Sequence, residues 1–303
     1  MFWFKNAIIY RLTKSLNWDL IQLQNQLSDC AYKPCGAQDM SKFGWISPLR
    51  DSDLLYFSVG KQILLVAQKE EKILPTQVVN KEVNSCISAL EQKEQRKLKK
   101  TEKQMLKDDV VMNLLPQAFS KNQHTALWIN TEQNLIYIDA TSNKRAEDTL
   151  ALLRKSLGSL PVVPLAFANE PGTVLTHWLT QNSVPDWLMV LDEAELRGGQ
   201  EDSVIRCKKQ PLEDEEMLSH FQQGKIITKL ALNWEDNLSF VIHEDCTLRR
   251  LKFADVIREK NDDILKEDFA QRFDADFVLM TGILSQLTEN LLAEFGGEKQ
   301  REQ

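Results

Sequence analysis

The chain predicts an α+β fold, with mixed sheet domains and a projecting helical segment. Three observations carry this. Strand-like and helix-like runs interleave without the regular rhythm of βαβ units. A charge-rich, glycine-free stretch from Pro75 to about Phe119 interrupts the strand signals, which then return. No repeat recurs at a fixed period of roughly 20–50 residues, which sets solenoids and propellers aside. At 303 residues, 43% apolar and 27% charged, the chain has room for two or three cores.

The opening stretch Phe2–Leu12 is rich in aromatic and β-branched residues and reads as a strand rather than a leader: Lys5 interrupts it, and no small-residue cleavage site follows. Leu16, Leu20, Leu23 and Leu27 share one helical face, with Ser15 or Asn17 as the cap. Pro34, Gly36, Gly44 and Pro48 mark Lys33–Leu49 as loop with short extended pieces. Leu54–Ser58 and Gln62–Lys69 are apolar runs joined at Gly60-Lys61, a hairpin signal. From Pro75 to Phe119 the pattern is helical, with only Leu90, Leu98 and Met105 as a thin apolar stripe, so this helix is expected to project.

Strands return at Ala126–Asn130 and Leu135–Ala140, around the turn 131–134. A helix follows from Ser142 as N-cap to Gly158 as stop, with Leu150, Leu153 and Leu157 inward. Ile226–Trp234 and Leu238–His243 pair across residues 235–237, and Thr247–Phe253 adds a third strand. Helices are expected over Ile264–Phe273 and Leu279–Phe295, the latter stopped by Gly296-Gly297. The resulting division has residues 1–75 and 120–165 as a central α+β domain, 76–119 as a helical tip, and 166–303 as a second α+β domain, the base.

Familiar catalytic signatures are missing. Gly60-Lys61 and Gly224-Lys225 lack the flanking residues of a P-loop, and neither G-x-G-x-x-G nor G-x-S-x-G occurs. Cys30, Cys35, Cys86, Cys207 and Cys246 are odd in number and irregularly spaced, which favours reduced thiols in the cytoplasm over a disulfide framework. His124, His177, His220 and His243 are scattered, with no zinc spacing, so no metal and no cofactor are expected. Around Glu267-Asp268, the pair Asp274 and Asp276 could hold a divalent cation in a nuclease, because hard cations prefer oxygen ligands. Helix capping or solvation is the ordinary explanation for such carboxylates. No run approaches the roughly 20 apolar residues of a membrane helix.

Net charge is −7, so any nucleic-acid surface must gather its cations locally. Lys93, Arg96, Lys97, Lys100, Lys103 and Lys107, with Lys99 beside them, lie in one basic segment, and the six recur at three- and four-residue steps that make one continuous basic face on a helix. Such a row could replace several phosphate counterions; equally, Glu91, Glu94 and Glu102 could pair with it. Four further clusters are Lys144-Arg145, Arg154-Lys155, Arg206 with Lys208-Lys209, and Arg249-Arg250 with Lys252. Trp3, Phe4, Trp128 and Trp234 fall in strand patterns and read as core, so backbone contact without base readout is the expectation. A protein-interaction scaffold, its basic helix meeting an acidic partner, is the other non-enzymatic possibility.

Several blocks carry a family resemblance. Lys33-Pro-Cys-Gly-Ala-Gln-Asp-Met40, Lys69-Glu-Glu-Lys-Ile-Leu-Pro75, Lys97-Leu-Lys-Lys-Thr-Glu-Lys103, Glu147-Asp-Thr-Leu-Ala-Leu-Leu-Arg-Lys-Ser-Leu-Gly-Ser-Leu-Pro-Val-Val-Pro164 and Glu267-Asp-Phe-Ala-Gln-Arg-Phe-Asp-Ala-Asp-Phe277 resemble the bacterial recombination-associated family RdgC. The resemblance implies a non-enzymatic, ring-shaped homodimer with a basic central hole around DNA. It also implies binding of duplex and single strands with little sequence preference, restraint of the RecA recombinase, and a place in the cytoplasm at the nucleoid. Phe119 matches an aromatic at one dimer contact of that family, while Lys121-Asn-Gln-His124 departs from its pattern.

Overall fold

The computed structural model describes residues 3–50, 52–198, 203–212, 214–262, 264–265 and 268–300. Phe2 of the expected first strand, and Glu267 of the acidic cluster, lie outside the described residues. Eight α-helices and two sheets make up the described fold, which is α+β. Every strand pairing within the sheets is antiparallel, so the sheets are not mixed as expected.

The first sheet contains β1 (Ile8–Leu12), β2 (Ser41–Ile46), β3 (Tyr56–Val59), β4 (Gln62–Lys72), β5 (Ser120–Asn130), β6 (Leu135–Ile138) and β7 (Val162–Pro164). Its order is β2-β4-β5-β6-β1-β7, with β3 also on β4. Ile63 to Ala67 of β4 are all buried, an unbroken apolar run that requires cover on both faces. Helices α1 (Leu20–Ser28) and α4 (Asn143–Leu157) cover one face through Leu23, Leu27, Leu150 and Leu153. On the other face lies a long helix, α8 (Phe269–Glu294), reached by the Tyr137 hydroxyl, which donates to Thr288 Oγ1 at 3.0 Å.

Local chemistry explains the ends. Gly60 takes φ 56° in the β3–β4 turn. Ser142 Oγ accepts from the Arg145 amide, and Gly158 at φ 78° ends α4. The cap of α1 is Asp19, one turn later than Ser15 and two residues past Asn17; its carboxylate accepts from Ile21 N and Gln22 N.

The segment between β4 and β5 is not one helix. α2 (Thr76–Glu94) and α3 (Lys100–Leu114) form an antiparallel hairpin that turns where Gln95 adopts a left-handed conformation, φ 56°. The Lys99 amide then donates to Glu102 Oε2 at 2.7 Å and starts the second helix. Val79, Val83 and Val110 form the hairpin's own small core. Leu90 and Leu98 are half-buried and Met105 is 68% exposed, so the expected stripe is not what packs. Polar ends of β4 and β5, paired from Gln68↔His124 to Lys72↔Ser120, carry the hairpin away from the sheet core.

The second sheet runs β12-β11-β10-β8-β9. β10 (Lys225–Trp234), β11 (Leu238–His243) and β12 (Leu248–Phe253) match expectation; β9 (Ser203–Lys208) overlaps residues 206–209, which were expected to be extended, and β8 (Leu188–Gly198) joins from a region with no expected strand. α5 (Pro171–Thr180) and α6 (Glu215–Gln222) were likewise not expected. α7 (Asp255–Arg258) is a single turn, and the two helices expected near the end are the one helix α8. α5 and α6 pack against β10 on the inner face of this sheet, and Leu175 and Trp178 of α5 share one apolar core with Phe277 and Leu284 of α8. One apolar core therefore runs from the first sheet through α8 to the second sheet. The sheets also meet through backbone, with Ala7 and Leu248 exchanging hydrogen bonds of 2.8 and 3.0 Å.

Candidate nucleic-acid interface

Because α5 and α6 pack on the inner face, alternation along each strand sends the other residues outward. On β8 these are Glu193, Glu195 and Arg197, and on β9 Arg206 and Lys208. Lys229 comes from β10, and Val241 and His243 come from β11. Among the described residues no helix covers this outer face, and two adjoining grooves lie on it; the larger has a volume of about 520 Å³. Seven cations line them: Arg206, Lys208, Lys209, Lys229, Arg249, Arg250 and Lys252. Among the described residues only three carboxylates do so, those of Asp192, Glu193 and Glu195.

A bulge concentrates this charge. Adjacent residues on a regular strand face opposite sides, yet Arg249 and Arg250 line the same groove. The β11–β12 register shifts between Ser239 and Val241, and Arg250 takes φ 50°. Arg249 Nη1 thereby donates to the Ala140 carbonyl at 2.6 Å, while Arg250 Nη2 meets Glu193 Oε1 at 2.9 Å. Arg249 also reaches Asn143 Oδ1, at the start of α4. Lys144 and Arg145 are next on that helix, so their cluster borders the groove, whose lining includes Thr141. Arg145 donates to Thr125 Oγ1 and to the His124 carbonyl.

Arg145 and Arg249 have neutral acceptors, and neither makes an ion pair among the described residues. Burial lowers the pKa of each, but from so high a starting value that both stay charged. Glu195 is different: its side chain is 5% exposed and meets Arg206 Nε at 2.8 Å, Lys229 Nζ at 2.9 Å and Arg197 Nη2 at 3.3 Å. Burial pushes its pKa up, but the hydrogen bonds from Lys229 and Arg206 outweigh this and bring it to about 2. His243 is neutral near pH 7, since burial lowers its pKa to about 4.

Three of the five basic clusters thus meet on one side of the molecule. Arg154 and Lys155 do not: they are exposed in the last turn of α4, about 15 Å along the helix from Lys144 and Arg145. The helical hairpin holds the fifth cluster, and its single basic face does not form. Gln95 turns the chain between Lys93 and Arg96, and carboxylates take up much of the charge. Arg96 binds Glu102 through two nitrogens and Glu94 through one; Lys97 and Lys103 both approach Glu91. Lys99 and Lys100 remain exposed beside them. Phe119, where the hairpin rejoins β5, is 85% exposed.

Residues that sequence reasoning did not single out here are Glu193, Glu195, Arg197, Lys229 and His243. For Glu193, Glu195 and Arg197 the signal was the two-residue alternation Glu193-Ala-Glu-Leu-Arg197, charged outward and apolar inward.

Among the described residues, Asp274 and Asp276 belong to no group of three side chains that could hold a metal ion. Asp276 is buried on the inner side of α8 and accepts a hydrogen bond from Asn261 Nδ2 at 2.9 Å, while Asp268 caps the helix at the Gln271 amide. Among the described residues no three His, Cys, Asp or Glu side chains are grouped to hold a metal ion. No described helix is long and apolar enough to cross a membrane.

A family model described as "Putative exonuclease, RdgC" matches residues 2–298. Recombination-associated protein RdgC of Haemophilus influenzae (strain PittGG) is 75% identical over 300 residues, covering 99% of each chain. Its namesakes from Mannheimia succiniciproducens and Pasteurella multocida are each 67% identical over 301 residues, covering 99% of this chain and 100% of theirs. The family description mentions an exonuclease, whereas the relatives' names give no catalytic activity. With a match over nearly its whole length, this chain belongs to the RdgC family of recombination-associated proteins.

Proposed function

We propose that the chain is a DNA-binding protein without sequence preference. In this reading it accepts duplex and single strands, encircles DNA as a homodimer, and restrains RecA-dependent recombination and fork repair at the nucleoid. The observation that carries the DNA-binding reading is the outer face of the second sheet: among the described residues, seven cations against three carboxylates line its grooves, in a chain of net charge −7. Such segregation costs self-repulsion, and a polyanion along the face relieves it. Lysine and arginine side chains there would contact phosphates rather than base edges, which fixes position without reading sequence.

Phe119 and the family resemblance support the ring. A phenylalanine 85% exposed at the foot of a projecting hairpin suits a contact with a second copy. Two copies joined there and at a second contact would hold DNA topologically, with the basic faces turned to the hole. Duplex occupied in this way is a poor track for a growing recombinase filament. That restraint is the role proposed here, in keeping with the relatives' recombination-associated name.

Binding of fluorescent duplexes of two unrelated sequences, followed by anisotropy over a salt series, tests the DNA reading. The two affinities should agree, and the logarithm of each should fall linearly with the logarithm of salt concentration. Salt-independent binding, or none at low salt, rejects it.

A further inference from the structure

We propose that Glu195 is a positioning residue that holds Arg206, Lys229 and Arg197 as a preorganised receptor for one backbone phosphodiester. This rests on the DNA-binding reading above and assigns it a specific phosphate site. A buried carboxylate in the middle of a polyanion-binding face is, on charge alone, in the wrong place. Its geometry gives it a purpose. Oε2 accepts from Arg206 Nε at 2.8 Å and from Lys229 Nζ at 2.9 Å, while Oε1 faces Arg197 Nη2 at 3.3 Å. The three cations come from three adjacent strands, and one carboxylate gathers them to a point.

Arg206 is the element that would touch the ligand. It spends its Nε on Glu195, yet its side chain is 67% exposed, so its terminal nitrogens are presented to solvent. A guanidinium held by one edge can offer the other to two phosphate oxygens. Without Glu195, three long side chains would have to be ordered each time DNA binds, which weakens binding. The carboxylate's own repulsion of phosphate is muted by its three partners and by salt, whose screening length is about 8 Å at physiological strength.

The two effects have opposite signs, and this makes the test sharp. Glu195→Gln removes a negative charge and adds one to the net positive charge of the face. If Glu195 were only a charge, duplex DNA would bind more tightly. If it is a positioning residue, affinity at about 0.15 M salt falls, by roughly tenfold, the low end of what one charge-assisted hydrogen bond supplies. Arg206→Ala should fall similarly and lower the salt slope by about one. In the double variant Glu195→Gln, Arg206→Ala, affinity should be little below that of Arg206→Ala alone.

Arg206→Lys guards against misfolding of a variant at the buried position, because residue 206 is exposed. It keeps the charge but loses the fork, so affinity should drop several-fold with the salt slope unchanged. Circular dichroism and thermal unfolding establish which variants are folded. Unchanged or tighter binding by folded Glu195→Gln, or wild-type affinity for Arg206→Lys, overturns the inference. If the wild-type chain itself binds no DNA at low salt, it is the underlying DNA reading that fails.

Discussion

Truncating Lys208, Arg250 and Lys252 together to alanine should weaken DNA binding by roughly a hundredfold at about 0.1 M salt. Lys208 and Lys252 are exposed and line the groove that Arg250 shares, and neither makes an ion pair among the described residues. Each should release close to one full counterion per phosphate met, worth about 0.9 in the salt slope. Arg250 already holds Glu193 at 2.9 Å, so its own release is smaller, but its removal exposes that carboxylate to the DNA. The slope should therefore fall by about two to three. Anisotropy titrations over the same salt series measure both quantities. Arg154→Ala, Lys155→Ala at the far end of α4 is the matched control, and its affinity should stay near wild type. If the triple variant kept wild-type affinity and slope while folded, the outer face of the second sheet would not be the DNA surface. If the control lost as much as the triple variant, the charge would act globally and not at this face.

The remaining predictions concern association, stability and pH. Phe119→Ser should lower the mass seen by light scattering at a given concentration, yet leave the melting temperature nearly unchanged, because so exposed a side chain contributes little to the fold. Changing Lys97, Lys99, Lys100 and Lys103 to alanine should reduce the salt slope by less than four phosphate contacts would, since Glu91 already pairs with Lys97 and Lys103; anisotropy checks this. Tyr137→Phe removes a buried hydroxyl bonded to Thr288 and should cost about 1 kcal/mol in urea unfolding. Burial holds the folded pKa of His243 near 4, against 6.5 for the free side chain, so the unfolded chain binds the extra proton between those values. The stability contributed by neutral His243 is thus complete above pH 6.5 and is lost as pH falls towards 4. Melting temperatures over pH 4–7 should fall less steeply for His243→Gln than for wild type.

What could be read from sequence was whatever local chemistry decides. Gly60-Lys61 marks its hairpin because only a permissive residue takes that turn easily, and Ser142 with Gly158 brackets α4 through its cap and stop. The break between α2 and α3 escapes such reading because the left-handed position is filled by Gln95 in a segment without glycine. β8 carried a legible signal in the alternation from Glu193 to Arg197, and β9 showed only in the extended stretch that begins at Arg206. α5 had a legible signal in Pro171 at its first helical position. The meeting of the clusters is beyond local reading. It depends on the Ala7–Leu248 bridge between sheets, on the β11–β12 bulge, and on Arg249 reaching Ala140 across more than a hundred residues of chain.

The central claim is that DNA lies along the outer face of the second sheet. Lysine acetylation footprinting by mass spectrometry, with and without duplex DNA, tests it most directly. The account predicts strong protection of Lys208, Lys252 and Lys144 on adding DNA, with Lys155 as reactive as before. Full reactivity of Lys208 and Lys252 in saturating DNA, with protection confined to other lysines, would contradict it.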